Sequence, residues 1–149
     1  MNSWVSKGML AAAIALPALS SAARAGGTEG FGCSNATLRG LYMYANSGYQ
    51  SVNPSLVPLA VTGKNIFYGN GTFDSLATLS IGGTIIPNDA APGTYTVNSD
   101  CTGTAIVHMT PPTPDVHLQW FVAPDGDQIF STETDPGTAL TGTLQRVAR

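Results

Sequence analysis

The sequence predicts an all-β fold: one small antiparallel barrel of about eight strands in meander order, with one disulfide. Three observations carry this. Turn-forming clusters recur at intervals of roughly 8 to 15 residues: Asn53-Pro54, Gly69-Asn70-Gly71, Gly82-Gly83, Ala91-Pro92-Gly93, Asp100 to Gly103, Pro111-Pro112-Thr113-Pro114, Asp125-Gly126 and Asp135-Pro136-Gly137. Between them lie short runs rich in Val, Ile, Thr, Tyr and Phe, which suit a pleated, half-buried surface, and no helical period outlasts a turn. The chain also has two cysteines, Cys33 and Cys101, at the two ends of this pattern's first half.

The elements follow in order. Residues 1–25 read as a secretory leader: Lys7 supplies the positive start, 9–19 the apolar run, and Ala23-Arg24-Ala25 a small-x-small cleavage site. The apolar run is shorter than the about 20 residues a bilayer span needs, so no stable membrane insertion is expected after cleavage. Residues 26–32 are a glycine-rich, aperiodic lead-in predicted to be flexible, and 33–149 form the barrel domain. Strands are expected at 39–48, 57–68, 72–81, 94–99, 103–110, 116–123, 128–134 and 139–147. In the first of these, Leu41, Met43 and Ala45 take one face and Tyr42 and Tyr44 the other, so neither face is purely polar. Eight strands joined in sequence close most naturally as a barrel, which removes exposed edges; a two-sheet sandwich is the alternative.

Charge and cysteines narrow the function classes. Cleavage after Ala25 removes 25 of 149 residues and leaves 124, one domain by size. Without Lys7 and Arg24, four basic residues face nine acidic ones, a formal charge of −5. The remaining basic residues are scattered, so nucleic acid and anionic membrane surfaces are not expected partners. In an oxidising compartment the two cysteines pair most simply as Cys33–Cys101, 68 positions apart. Closing such a loop stabilises a domain by about 4 kcal/mol on the chain-entropy model. The expected location is periplasmic or secreted.

Several stretches resemble a group of small exported bacterial β-proteins without an assigned activity. They are Cys33-Ser34-Asn35-Ala36-Thr37-Leu38-Arg39-Gly40-Leu41-Tyr42, Gly71-Thr72-Phe73-Asp74, and the tract from Gly93-Thr94-Tyr95-Thr96-Val97 through Asp100-Cys101-Thr102-Gly103-Thr104. The ending, with Phe121-Val122, Thr134-Asp135-Pro136-Gly137 and Gly142-Thr143, is similar too. More remotely, the strand order is similar to the eight-stranded barrel of allene oxide cyclases and dirigent proteins. The resemblance implies the fold and export. It carries over no catalytic residue.

Candidate chemistry comes from three groups. His108 and His117, the two histidines of the chain, would face each other if 111–114 were a four-residue hairpin loop, close enough to share a transition metal. No third ligand is evident and a solvated pair is the ordinary case, so no metal or other cofactor is expected. Glu133 shares a strand face with Ile129 and Ser131. Facing outward, as glutamates usually do, it is surface charge; facing into a barrel, it becomes a buried acid and a general-acid candidate. Aromatic residues spread over several strands ordinarily build a core. The sharper reading makes Tyr42, Tyr44, Tyr95 and Trp120 the lining of a barrel mouth that binds a small apolar ligand. The alternatives are a cyclase-like barrel enzyme on an apolar substrate, and a structural or surface-interaction protein with a packed core.

Overall fold

Period-two alternation governs the whole chain after Leu38. The computed structural model describes residues 31–149, so the leader read at 1–25 and residues 26–30 lie outside the described residues. A single turn of 3-10 helix, Asn35–Thr37, precedes eight strands: β1 Arg39–Val52, β2 Ser55–Tyr68, β3 Thr72–Ile81, β4 Thr84–Val97, β5 Thr102–Val107, β6 Val116–Val122, β7 Gln128–Glu133 and β8 Thr138–Ala148. Each pairs antiparallel with the next, and β1 pairs with β8, so the sheet closes on itself as a barrel. The sandwich alternative is excluded by that closure. No helix among the described residues is long and apolar enough to cross a membrane.

Strand lengths divide the barrel into two unequal halves. β1, β2 and β4 run for 14 residues each, whereas β5 and β7 have only six. The wall made by β1 to β4 therefore stands taller than the opposite wall. One end of the barrel is plugged. Leu38, fully buried, follows the 3-10 turn into this end, and the Tyr95 hydroxyl donates to the Asn35 carbonyl at 2.8 Å and the Leu38 carbonyl at 3.0 Å. Asn35 Oδ1 accepts the Val97 N–H at 2.8 Å, which ties the turn to the edge of β4. The Cys33–Cys101 disulfide, with Cα atoms 5.1 Å apart, fastens the same end.

Arg146, at the end of β8, completes the plug. Its Nε donates to the Tyr42 hydroxyl at 3.0 Å and its Nη2 to the carbonyls of Thr37 at 2.9 Å and Asp125 at 3.2 Å, while Nη1 pairs with Asp127 at 3.2 Å. The Tyr42 hydroxyl in turn donates to the Gly126 carbonyl. A guanidinium presents five donors in a fixed fork, and here they gather three separate chain segments.

The structure departs from the predicted elements mainly in β4. The stretch 84–93 reads as punctuation in the sequence but belongs to this strand. Pro87 and Asn88 together oppose Thr78 as a bulge, with Asn88 in the left-handed region at φ 54°. Asparagine tolerates that conformation and proline cannot donate to the ladder, so the pair is suited to a bulge. Pro92 sits just past the last rung with β5, Gly93–Val107: its carbonyl accepts the His108 N–H at 2.9 Å, and its missing N–H falls where β5 ends. The bulge has a directional effect. Ile86 shares the inner face with Leu79, and the extra residue makes Asp89, paired with Ala77, face inward as well.

Candidate functional site

Inside the barrel, two tiers of different character succeed each other. The tier nearest the plug is aromatic and dry. Tyr42 and Trp120 have no exposure, and Phe67 and Phe73 are each 1% exposed. Phe67 stands edge-on to Tyr42, Tyr95 and Trp120, with ring centroids 4.9, 5.3 and 5.7 Å apart. Such edge-to-face pairs add about 0.5–1.5 kcal/mol beyond area burial. Gly93 leaves the space that the Phe73 ring occupies. The polar atoms of this floor are spent locally: Trp120 Nε1 donates to Ser131 Oγ at 3.0 Å, and the two tyrosine hydroxyls point into the plug.

Of the four aromatic residues read as a ligand lining, Tyr42, Tyr95 and Trp120 thus belong to the packed floor. Tyr44 lies one tier higher and is only partly buried. Its ring crosses Gly63, where a Cβ would come within 2.8 Å of it, and its hydroxyl is 3.2 Å from Ser75 Oγ. Burial, opposed by the Ser75 contact and reinforced by the charge of Asp89, raises the Tyr44 hydroxyl above its ordinary pKa.

This upper tier lies toward the end opposite the plug, where β1, β2 and β4 extend beyond the shorter β5 and β7. Its apolar wall comes from Leu59, Val61 and Leu140, packed against Ala77, Leu79 and Ile81. Leu79, Ile81, Val107 and Leu118 occupy inner-face positions yet stay partly exposed, so solvent reaches them from the mouth. Small residues at Ser75, Ala77 and Ala91 leave the middle of the taller wall shallow. Two open depressions of about 410 and 500 Å³ lie elsewhere, on the outer face of β1, β2 and β3.

The polar side chains on the inner face of this tier include Asn46 and Asn65, which carry both donors and acceptors. Asn65 is 6% exposed and its Oδ1 has no partner; Asn46 Oδ1 is likewise buried and unpartnered. Buried amide oxygens without partners are uncommon and costly, about 1–3 kcal/mol each. Glu133, paired with Leu118 and on the same face as Ser131 and Ile129, points inward. This corrects the ordinary outward expectation for Glu133. The physical cause is the closure of the sheet, which leaves the Ile129 face of β7 no outside to point to. Burial raises the Glu133 pKa; a Thr138 hydrogen bond lowers it and the nearby Asp135 charge adds to the rise.

The histidines flank the β5–β6 connection, and each contacts its own carboxylate. Ile106, not His108, is the register partner of His117, which corrects the expected His108–His117 opposition. The ladder is offset by two residues from that register, and residues 108–115, rather than 111–114, connect β5 to β6. Asp115 closes that loop by accepting the Met109 N–H at 3.0 Å and contacting His108 Nδ1 at 2.9 Å. Those hydrogen bonds, His108 foremost, hold the Asp115 carboxyl below its ordinary pKa. His117 instead meets Asp135 at 2.8 Å. Among the described residues, no group of three or more His, Cys, Asp or Glu side chains is arranged to hold a metal ion.

Sequence reasoning missed Asp89, Asn65 and Asn46 as site residues. The signal for Asp89 was present: Asp89, Ala91, Gly93, Tyr95 and Val97 form an unbroken period-two series running straight through Pro92. Comparison with family models, curated proteins and solved structures gives no match for this chain.

Proposed function

We propose that the protein is a non-catalytic binding module that takes the apolar part of a small molecule into the open cup above the aromatic floor. One observation carries the reading: inner-face side chains that a filled barrel would keep dry are partly exposed, and they surround buried polar atoms that have no partner. Concave sites with an apolar wall and a few fixed polar groups are the usual form of a small-molecule site. The lining differs from the one expected from sequence. Tyr44, Leu79, Leu118 and Glu133 take the contact role, and Tyr42, Tyr95 and Trp120 support them from below. The module works outside the cytoplasm, as periplasmic or secreted protein, a reading supported by the leader-like residues 1–25 and compatible with the disulfide.

A cyclase-like reading draws on one specific observation, the inward Glu133 with its raised pKa. Among the described residues its hydrogen-bond partner is the Thr138 hydroxyl, which is not an acid–base group at ordinary pH, so binding is the better-supported role.

Titration with the neutral fluorophore N-phenyl-1-naphthylamine tests the binding role. The expected result is a saturable rise in emission with one site per chain, lost in Leu118→Arg. Absence of any saturable signal from correctly folded protein would refute it.

A further inference from the structure

The taller wall ends in two hairpins whose tips are apolar and exposed. Val52 and Leu56 at the β1–β2 tip, Ile85 and Ile86 at the β3–β4 tip, and Tyr49 below them are between 41% and 67% exposed. The tips stand side by side: the Gly82 N–H donates to the Pro58 carbonyl at 2.8 Å, and a Cβ on Gly82 would lie 3.4 Å from Val57. Together they form an uncharged crown. No Asp, Glu, Lys, Arg or His occurs between Arg39 and Lys64 or between Asp74 and Asp89. Grouped exposed apolar side chains of this kind mark an interaction site rather than ordinary surface.

Two features of the crown say what covers it. First, it is apolar on both faces. By the alternation along each strand, Tyr49, Leu56 and Ile85 point outward, whereas Val52 and Ile86 lie on the inner face. A protein partner covers one face of a sheet; a wedge that is apolar on both sides is kept dry only by a medium that surrounds it. Second, its height matches a lipid boundary. Peripheral elements sink about 5–10 Å into the headgroup and acyl boundary, about two to three residues at roughly 3.3 Å each. That takes in Val52, Leu56, Ile85 and Ile86 and leaves Tyr49 among the headgroups, where tyrosine is favoured. Asp89 and Lys64, the first charges met after the two tips, lie about 16 and 30 Å along their strands from the turns. The ladders run to the last pair before each turn, Val52–Ser55 and Ile81–Thr84, so little backbone enters the layer unpaired.

We infer that the paired hairpin tips dock the barrel on a zwitterionic lipid surface by shallow insertion of Val52, Leu56, Ile85 and Ile86. Charge sets the kind of lipid. The crown has no basic residue to meet an anionic headgroup. On its flank, the turn whose Gly137 carbonyl accepts the Ser51 N–H at 2.7 Å carries Asp135, engaged by His117. Anionic headgroups therefore add repulsion instead of affinity. This docking goes beyond the binding role proposed above and stands without it.

Sedimentation of protein recovered outside the cytoplasm with phosphatidylcholine vesicles tests the docking. Binding is expected to rise saturably with lipid, and Leu56→Ser combined with Ile85→Ser should raise the lipid concentration at half-binding about tenfold or more. Phe121→Ser combined with Phe130→Ser removes a comparably exposed apolar pair from the outer face of β6 and β7 and should leave binding unchanged. Replacing about a third of the lipid with phosphatidylglycerol should weaken binding. In Leu56→Trp, lipids brominated near the headgroup should quench the new tryptophan more than lipids brominated near the chain end. Absence of binding to phosphatidylcholine, an equal loss in the Phe121 and Phe130 variant, or tighter binding with phosphatidylglycerol would overturn the inference. So would a concentration-dependent dimer in light scattering that the Leu56 and Ile85 variant abolishes, since a second copy would then cover the crown.

Discussion

Replacing Gly93 with alanine tests the idea that the aromatic floor is packed without slack. A Cβ at this position would lie 2.1, 2.3 and 2.7 Å from three atoms of the Phe73 ring. The ring cannot step aside, because it is 1% exposed and boxed in by Phe67, Trp120 and Tyr95 at centroid distances of 5.1, 6.1 and 6.3 Å. Overpacking of this kind costs about 1–3 kcal/mol, and the tightness of the box places Gly93→Ala near the upper end. Phe73→Leu removes the far end of the ring that the new methyl would strike, at a cost of about 1–2 kcal/mol on its own. The double variant should then be less destabilised than the sum of the singles by about 1–2 kcal/mol, the coupling expected of residues in direct contact. Urea unfolding at 25 °C, followed by the fluorescence of Trp120 in leader-free protein, measures all three. A Gly93→Ala change within about 0.5 kcal/mol of the parent, or strict additivity in the double variant, would refute the packing argument.

Glu133→Gln should stabilise the protein at neutral pH. Its raised pKa means that the folded state binds the proton more tightly than the unfolded one, so its contribution is favourable at acid pH and is lost as pH rises through the folded value. The gain should stay below about 1 kcal/mol after solvent screening and vanish at acid pH, read from paired urea curves. Asp115→Asn works in the opposite sense: the lowered pKa contributes stability above the unfolded value and loses it as pH falls through the folded one. The stability difference between parent and Asp115→Asn should therefore close on the acid side. Cys101→Ala should cost about 4 kcal/mol, and intact mass before and after alkylation of exported protein should show no free thiol. N-terminal sequencing of protein recovered outside the cytoplasm should begin at Gly26.

Much of the barrel is legible in the sequence because turn chemistry and alternation agree. The expected 72–81 coincides with β3, and 116–123 and 128–134 end within a residue of β6 and β7. Where the two signals conflict, the reading fails. Pro87, Pro92 and Gly93 argue for a loop, yet the alternation from Asp89 to Val97 argues for a strand, and closure of the barrel decides for the strand. The site suffers from the same conflict. Aromatic side chains stand out in a sequence, but burial depends on which end of the barrel the chain's own lead-in plugs, and no local pattern states that. Asn46 and Asn65 look like ordinary strand polar residues until the closed sheet turns them inward without partners. The hairpin register of His108 and His117 rests on a single carboxylate, Asp115, which closes the loop from within.

The seam between β1 and β8 has a kinetic meaning. These are the first and last strands, so the ring cannot close until the final eleven-residue strand is available, and Arg146 reaches Thr37 across 109 positions of chain. Contacts of such sequence separation slow folding, since the loop entropy is spent before the contact rewards it. Until then β1 presents an unpaired strand edge with Met43 and Tyr49 exposed along it. A growing chain thus remains an open sheet with two sticky margins for nearly its whole length. The last strand to arrive converts it, in one step, from something that associates edge to edge into something with no edge at all.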